Sequence, residues 1–395
     1  MNTKLDKFMF REFKKCKGVQ VVDFLFVLCL LVLSLIVRLC LFPIETADHT
    51  VYFQKWMEQV QDLGGFSSLS TPIGNYTTPY MIMMCAVSYL PIEFLYSVKM
   101  VDVIFDYVGA MAAFCIVYQI TKNRKKSILA AVGLLFLPTV ILNGAAWSQC
   151  DMMNVSFMLF SLFFLLRNKP RAAMVFFGIA FSFKFQTIFF LPALIMFWLN
   201  KGYRWRYYLW VPCIYLISMV PALLAGRSFQ SLILLYFGQT QQFSALTLNY
   251  PSIYTLFHEK YQVELANAGM FFTAAVLGCI LYWIYNQRRN LTERQILLIT
   301  ILTASVMLFF LPHMHDRYGL FVDAVAFLFG IIYMKKWWIS LGYVMVSLFA
   351  YLPFLFNVTV IPFSYVTIFF LILIFLTAYE LYIDFTKKEK RIFCH

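Results

Sequence analysis

Apolar runs long enough to cross a lipid bilayer recur along nearly the whole chain, and they restrict its fold more than any other feature. The hydrocarbon core is ~30 Å thick, which about 20 apolar helical residues can span. Twelve apolar segments, some of them short, are predicted to cross the membrane: 21–42, 99–120, 127–143, 152–166, 172–184, 187–199, 207–224, 268–285, 295–311, 319–334, 337–356 and 363–385. Because no stretch between them is long enough for a soluble domain, residues 1–395 are predicted to form one all-α polytopic membrane domain.

The composition agrees with this fold class. Of the 395 residues only 13% are charged, against roughly 25% in a soluble domain. The net charge of +13 does not indicate nucleic-acid binding, because the basic residues form short clusters between apolar runs. The nine cysteines have no paired spacing, so neither a disulfide framework nor a metal knuckle is predicted. The first apolar run is too long for a signal peptide and should remain as the first span.

The distribution of basic residues also predicts the orientation. If residues 79–91 form a partly embedded helix that does not cross, most of the 32 Lys and Arg residues face the cytoplasm. These are six near the N-terminus, then residues 122–126, 167–171, 201–206, 288–294 and 335–336, and four near the C-terminus. Both termini are then cytoplasmic, and residues 43–98 form one long segment on the outer face, typical of a protein of the bacterial plasma membrane.

Lys184 lies where the short fifth and sixth spans meet. A lysine near the bilayer centre costs ~3 kcal/mol on insertion scales, so Lys184 is predicted to face an aqueous or anionic cavity. The alternative is a lysine that snorkels outward.

Most other unusual polar residues fall on the predicted outer side. Residues 48–61 alternate aromatic and charged side chains at roughly helical spacing, which predicts an amphipathic helix on the membrane, ended by Gly64 and Gly65. Further polar groups occur in residues 147–151, 226–267 and 312–318. Asp151 could instead cap the fourth span, and Asp102 and Asp106, one turn apart in the second span, are interpreted mainly as structural.

A cavity of this composition suits a sugar carried on a polyprenyl phosphate. Transfer needs a carboxylate that deprotonates the acceptor hydroxyl, cations for the leaving phosphate and an apolar groove for the lipid. The pair His313 and His315 is a weak indication of a metal without further fixed ligands. Neither a metal nor another cofactor is therefore predicted, and the chain has no nucleotide-binding loop.

The order of these motifs carries a resemblance. A first span precedes an outer carboxylate motif, an amphipathic helix with Trp and a Tyr-x-x-Pro-Tyr segment. A Trp-x-Gln-x-Asp loop, a Lys-x-Gln-x-x-Phe-x-x-Pro hairpin and a His-x-His-Asp-Arg-Tyr loop follow. From Glu45 to about Tyr318 this order resembles the GT-C membrane glycosyltransferases, most of all bacterial relatives of the glycosylphosphatidylinositol mannosyltransferase II family.

The resemblance implies a GT-C-like fold, a polyprenyl-phosphate sugar donor, inversion at the anomeric carbon and an essential acidic residue in the first outer loop. Asp48 occupies that place, with Glu45 and Asp151 as alternatives for the base. Lys184, Arg317, His315 and Tyr318 are predicted to bind the donor phosphate and lipid. The predicted substrate-binding residues are Glu45, His49, Tyr76, Trp147, Gln149, Asp151, Gln186, His313 and Asp316.

Two positions depart from the family pattern. Ser148 stands where related sequences often have Gly, which is expected to alter the turn. Asp316 stands where Glu is common, and its side chain has a shorter reach. Residues 1–225 correspond to the catalytic module, with its outer segment 43–98, and residues 226–395 to a variable helical module with the outer loop 312–318.

Three functions remain open from the sequence. The favoured one is a hexosyl- or mannosyltransferase-like enzyme whose partners are the lipid-linked donor, a glycan or lipid-linked acceptor and membrane lipids. A transporter of polysaccharide or lipid-linked glycan would carry polar residues through the full membrane depth and two related halves, which the sequence lacks. A polysaccharide polymerase or ligase would share the outer site and join preassembled repeats.

Overall fold

The computed structural model describes residues 21–240, 244–257, 262–287 and 290–392, and these residues are almost entirely helical. The helices are α1 (Val21–Leu41), α2 (Gln54–Asp62), α3 (Thr78–Val87), α4 (Phe94–Thr121), α5 (Arg124–Leu135), α6 (Pro138–Ile141), α7 (Asp151–Leu166), α8 (Pro170–Phe183), α9 (Leu191–Lys201), α10 (Trp210–Leu224), α11 (Phe229–Ile233), α12 (Leu235–Thr240), α13 (Gln262–Asn286), α14 (Glu293–Phe310), α15 (Leu320–Ile332), α16 (Trp337–Phe356) and α17 (Phe363–Ile392). Two π-helical turns, His49–Phe53 and Leu142–Ala146, and two short strands, β1 (Thr247–Leu248) and β2 (Met314–His315), lie between these helices. Short 3₁₀ helices are formed by Gly65–Ser70, Phe185–Phe190, Trp205–Tyr207, Ile253–Leu256 and Met334–Lys336.

The helix lengths confirm an all-α polytopic membrane protein. Seven helices in the described residues are long and apolar enough to cross a bilayer, and an eighth span results if α5 and the following Pro138–Ala146, bent by 49° from it, count as one. The other four predicted spans coincide with shorter apolar helices, namely Asp151–Leu166, Pro170–Phe183, Phe185–Lys201 and Leu320–Ile332. Twelve crossings therefore stay a prediction.

The short helices lie in the protein interior. Nearly every side chain of the short helices α7 and α15 is buried. Among the long helices the buried share varies, from 83% for α14 to 11% for the apolar windows of α1 and α13. A helix enclosed by others need not match the bilayer thickness, because irregular backbone at membrane depth is tolerated where protein surrounds it. The polar ends of the short helices can therefore meet inside the molecule.

Lys99 ties the end of α1 to α4. Its Nζ donates to the carbonyl oxygens of Phe42 at 2.8 Å and Ile44 at 2.6 Å, with that of Leu41 at 3.4 Å. These carbonyls follow the end of α1, where helical partners are missing and a cation is favourable. Since Ile44 lies only four residues before Asp48, Lys99 also fixes the start of residues 43–98, the predicted outer segment.

Replacement Lys99→Met is expected to lower the free energy of unfolding by about 3 kcal/mol, because the buried carbonyl oxygens lose their donor. Equilibrium unfolding in mixed micelles measures the change. The matched control is Lys122→Met, at the exposed far end of the same helix, which should have little effect. Equal losses in both variants would contradict the anchoring role.

The outer segment folds back on itself between α1 and α4. Phe53, Met57 and Val60 form its buried face, at the spacing of an amphipathic helix. The predicted helix over 48–61 is thus present, as the π turn followed by α2, and it ends before Gly64, whose φ of +78° a glycine adopts readily. The 10 residues of α3 extend about 15 Å, too short to cross the membrane.

A two-stranded parallel sheet fixes residues 312–318, the late loop. Thr247 pairs with Met314 and Leu248 with His315. The amide of Asp316, the residue after β2, donates to the carbonyl oxygen of Leu248 in β1 at 2.9 Å. The loop that precedes α15 is therefore fixed against the segment that precedes α13, which determines where Arg317 lies.

Part of the predicted cytoplasmic charge lies outside the described residues. This holds for the six basic residues near the N-terminus and for Arg288 and Arg289. The cytoplasmic location of both termini accordingly remains a prediction.

Candidate active site

An ion cluster centred on Asp151 joins three separate parts of the chain. Lys184 Nζ binds Asp151 Oδ1, and Arg317 Nε lies 3.4 Å from Asp151 Oδ2. Asn143 Nδ2 also donates to Asp151 Oδ2, at 2.8 Å. Lys184 and Asp151 are each only 5% exposed, so the charges compensate one another away from water.

This cluster decides two alternatives left open by the sequence. Lys184 does not snorkel outward, since its ammonium is buried against Asp151. Asp151 is not a helix cap either, because α7 begins at Asp151 itself and no side chain caps that end. Electrostatic pairing, rather than local helix chemistry, determines both positions.

Asp48 lies next to the cluster and is held by two side chains of the loop 147–151. Trp147 Nε1 donates to Asp48 Oδ2 at 2.9 Å, and Gln149 Nε2 donates to the same oxygen at 2.8 Å. Among the described residues nothing donates to Oδ1 of Asp48, and the side chain is partly exposed. The carboxylate is thus oriented through one oxygen, which leaves the other able to accept a proton.

Trp147 connects Asp48 to the cations. Its fully buried ring stacks on Phe354 at 4.4 Å and meets the edge of Tyr351 at 5.3 Å. The guanidinium carbon of Arg317 lies 5.7 Å from the centre of the Trp147 ring. One rigid indole therefore binds the carboxylate with its nitrogen and the cation with its face.

Ser148, one of the two departures from the family pattern, adopts a conformation that suits glycine. Its φ is +62°, and its buried hydroxyl has no hydrogen-bond partner in the described part of the chain. The main chain thus keeps the turn that glycine would form, at a cost in strain.

Ser148→Gly is expected to raise the free energy of unfolding by about 1 kcal/mol, because it removes both the strain and the unpaired hydroxyl. Ser148→Ala, which removes the hydroxyl and keeps the strain, separates the two contributions. Thermal unfolding of both variants measures them, and a destabilised Ser148→Gly protein would contradict the explanation.

Asp316 adds a second carboxylate whose charge depends on pH. Its Oδ1 accepts from the amide of Arg317 at 3.0 Å and lies 3.8 Å from Arg317 Nη1. Burial raises the pKa of Asp316 to about 7 in spite of the Arg317 charge, and Asp48 and Asp151 add to the increase. This carboxyl therefore changes charge near neutral pH beside a cation of the site.

If the site binds an anionic donor, the KM for that donor is expected to rise about three- to tenfold between pH 6 and pH 8. Below its pKa of about 7 Asp316 is neutral and leaves the Arg317 charge free for a phosphate, whereas above it the carboxylate offsets that charge. Donor KM measured against pH tests this, and Asp316→Asn should flatten the profile. A profile that persists in that variant would assign the titration to another group.

The remaining residues of the late loop have mixed roles. Burial and then Arg317 lower the pKa of His315 well below its usual value, so its imidazole is neutral. Its ring packs 5.0 Å from that of Tyr318, which shares a hydrogen bond with Gln186. His313 Nδ1 is bonded to the carbonyl of Ala245 at 2.7 Å and so contributes to the loop structure.

Tyr76 also borders the cluster, since Lys184 Nζ lies 5.6 Å from its ring centre. Two predicted site residues lie elsewhere. His49 is buried and stacks on Phe94 at 5.8 Å, so its imidazole packs against the fold and lies away from the ion cluster. Glu45 is exposed and makes no hydrogen bond or ion pair with the described residues.

Sequence reasoning missed several contributors. Asn143 donates to Asp151, and Tyr351 packs on Trp147. Both lie within apolar helical segments, where a lone polar residue does not indicate which residue it contacts. Asp106 forms a buried ion pair with Arg38 at 2.7 Å, in line with its structural interpretation, whereas both oxygens of Asp102 are unpaired within the described ranges. No group of three or more His, Cys, Asp and Glu in those ranges is arranged to hold a metal ion.

Fold and site together define an all-α polytopic membrane protein with a buried, mixed-charge cluster beside a partly exposed carboxylate. No protein-family model matches the chain, and a comparison with curated proteins finds no match.

Proposed function

We propose that this protein is an inverting glycosyltransferase that uses a polyprenyl-phosphate-linked sugar. It would transfer the sugar to a cell-surface glycan or a lipid-linked acceptor on the non-cytoplasmic face of the membrane. The observation that carries the proposal is that Trp147 holds a candidate base, Asp48, and a cation, Arg317, close to each other. Asp48 is oriented by Trp147 and Gln149, and the same Trp147 ring packs on Arg317.

The geometry of Asp48 suits a general base. Asp48 Oδ1 takes the proton of the acceptor hydroxyl while the hydroxyl oxygen of the acceptor bonds to the anomeric carbon. The bond from the anomeric carbon to the phosphate oxygen breaks on the opposite face, and its electron pair stays on the phosphate. A single displacement of this kind inverts the anomeric configuration.

Lys184 and Arg317 suit the leaving phosphate. Asp151 lies 3.4 Å from Arg317 Nε and Asp316 lies 3.8 Å from Nη1, both beyond a short hydrogen bond, so the Nη groups of Arg317 can form a fork to phosphate oxygens. Lys184 adds a compact charge. Asp151 holds the two cations together despite their mutual repulsion, which makes it a positioning residue and a poor candidate for the base.

The test is turnover by the purified protein with a panel of synthetic polyprenyl-phosphate sugars and a native polymer acceptor. We expect transfer from one donor with inversion, read from the anomeric configuration of the product. Retention of configuration would exclude the single displacement. Failure with every donor would reject the proposal, and movement of labelled glycan across vesicles or joining of preassembled repeats would then identify a transporter or a polymerase.

A further inference from the structure

We propose that an aromatic platform on the outer segment, formed by Tyr52, Trp56 and Tyr76, binds the sugar chain of a glycan acceptor. The inference rests on the proposed function and deepens it, because it selects a glycan rather than a lipid-linked molecule as the acceptor.

Tyr52 and Trp56 follow Asp48 along one stripe of the outer helix. Residues four apart on a helical stretch lie one above the other, and His49–Phe53 continues directly into Gln54–Asp62. Tyr52 is 45% exposed, and its ring centre lies 6.0 Å from that of the partly exposed Trp56. The stripe therefore leads from an accessible ring surface to the carboxylate of Asp48.

A second row of rings leads from the platform to the cations. Trp56 meets Tyr76 at 5.6 Å, and the ring of Tyr76 lies 5.6 Å from Lys184 Nζ. A ligand lying on these rings would thus reach the site on the side where both Asp48 and Lys184 are found.

The fold fixes the orientation of Trp56. Gly74 has a φ of +60°, and a Cβ atom at this position would lie only 2.6 Å from the Trp56 ring. Phe53 meets the same ring edge-on at 5.4 Å. Close backbone packing of this kind is typical of a preorganised binding surface, where less conformational entropy is lost on binding.

The polar residues around the rings match a sugar. A pyranose presents C–H groups on its faces and hydroxyls around its rim, so it pairs with aromatic faces flanked by amides and carboxylates. Gln54, Lys55 and Glu58 are exposed on the same helix, and Gln54 Nε2 donates to Glu58 Oε1 at 3.3 Å. Amide and charged side chains are thus available on the same helix to hydrogen-bond the rim hydroxyls of a sugar.

The first measurement is binding of gluco- and manno-oligosaccharides, from monosaccharide to hexasaccharide, to the purified protein without donor. We expect affinity to increase with chain length, and Trp56→Ala to weaken hexasaccharide binding about tenfold. Trp56→Phe should restore part of the affinity. The control is Trp205→Ala, another exposed tryptophan, 67% accessible and outside the platform; it should bind as the wild type does.

Steady-state kinetics then separates the effect of Trp56→Ala on acceptor binding from its effect on donor binding. Trp56→Ala should raise the acceptor KM about tenfold and change the donor KM by less than twofold. An equal increase in both, or weaker vesicle association with oligosaccharide binding intact, would overturn the proposal in favour of a membrane anchor. Oligosaccharide binding that needs Trp56 would support the platform even if every donor failed, so the two proposals fail separately.

Discussion

Asp48→Asn is expected to reduce sugar transfer by about 10²- to 10⁴-fold, the usual contribution of a positioned base. The amide keeps the size of the side chain and an oxygen that can accept from Trp147 and Gln149, but it cannot take a proton from the acceptor. Stability and donor affinity should therefore remain close to those of the wild type. The measurement is kcat for the preferred donor at saturating acceptor.

The matched control is Asp62→Asn, the same change at an exposed carboxylate at the end of the same outer helix. It should alter kcat by less than twofold. If Asp48→Asn keeps wild-type activity, Asp48 is not the base, and Glu45 is the next carboxylate to replace. A loss of transfer that accompanies unfolding would likewise not support the assignment.

The second large effect is expected for Lys184→Met. Among the residues that the structure describes, the substitution leaves the buried carboxylate of Asp151 with Arg317 and Asn143 as its partners. Removing one partner of a buried pair costs about 3–5 kcal/mol, and the remaining partners favour the lower end, about 3 kcal/mol. Equilibrium unfolding measures the loss.

A double variant separates stability from function at this site. Lys184→Met combined with Asp151→Asn removes both charges of the pair and should recover part of the unfolding free energy, because Arg317 loses Asp151 and keeps the more distant Asp316. If Lys184 binds the donor phosphate, the donor KM of the double variant should still be raised at least tenfold. Recovery of both stability and donor KM would show that Lys184 acts only as a structural partner of Asp151.

Much of the fold could be predicted from the sequence because it depends on local composition. Eleven of the twelve predicted segments coincide with a helix, and 127–143 falls on the bent pair of α5 and Pro138–Ala146. The amphipathic pattern over 48–61 corresponds to a helix as well. A run of apolar residues must satisfy its own backbone in lipid and so becomes helical wherever it lies. Helix length relative to the bilayer was harder to infer, since residues within a run do not indicate whether lipid or protein surrounds them.

The candidate site could be predicted only in part. The polar loops around Trp147, Lys184 and Arg317 stand out as exceptions in an apolar chain, and these three do meet. The position of His49 could not be predicted, because a histidine beside a carboxylate motif gives no sign that it packs inward on Phe94. Its role in substrate binding stays a prediction. Lys99 was missed, because its partners are backbone carbonyls that leave no mark in the sequence.

By itself the sequence determined that this chain is an all-helical membrane protein whose unusual polar residues gather in a few short segments. Hydrophobic length and charge placement carry that information, since both act locally along the chain. Only the tertiary structure decided that Asp151 pairs with Lys184 and Arg317 and that Asp48 keeps one carboxylate oxygen without a donor among the described residues. It also decided that Tyr52 and Trp56 form an accessible surface. These features depend on distances between segments some hundred residues apart, such as the contact of Trp147 with Asp48, and only packing sets such distances.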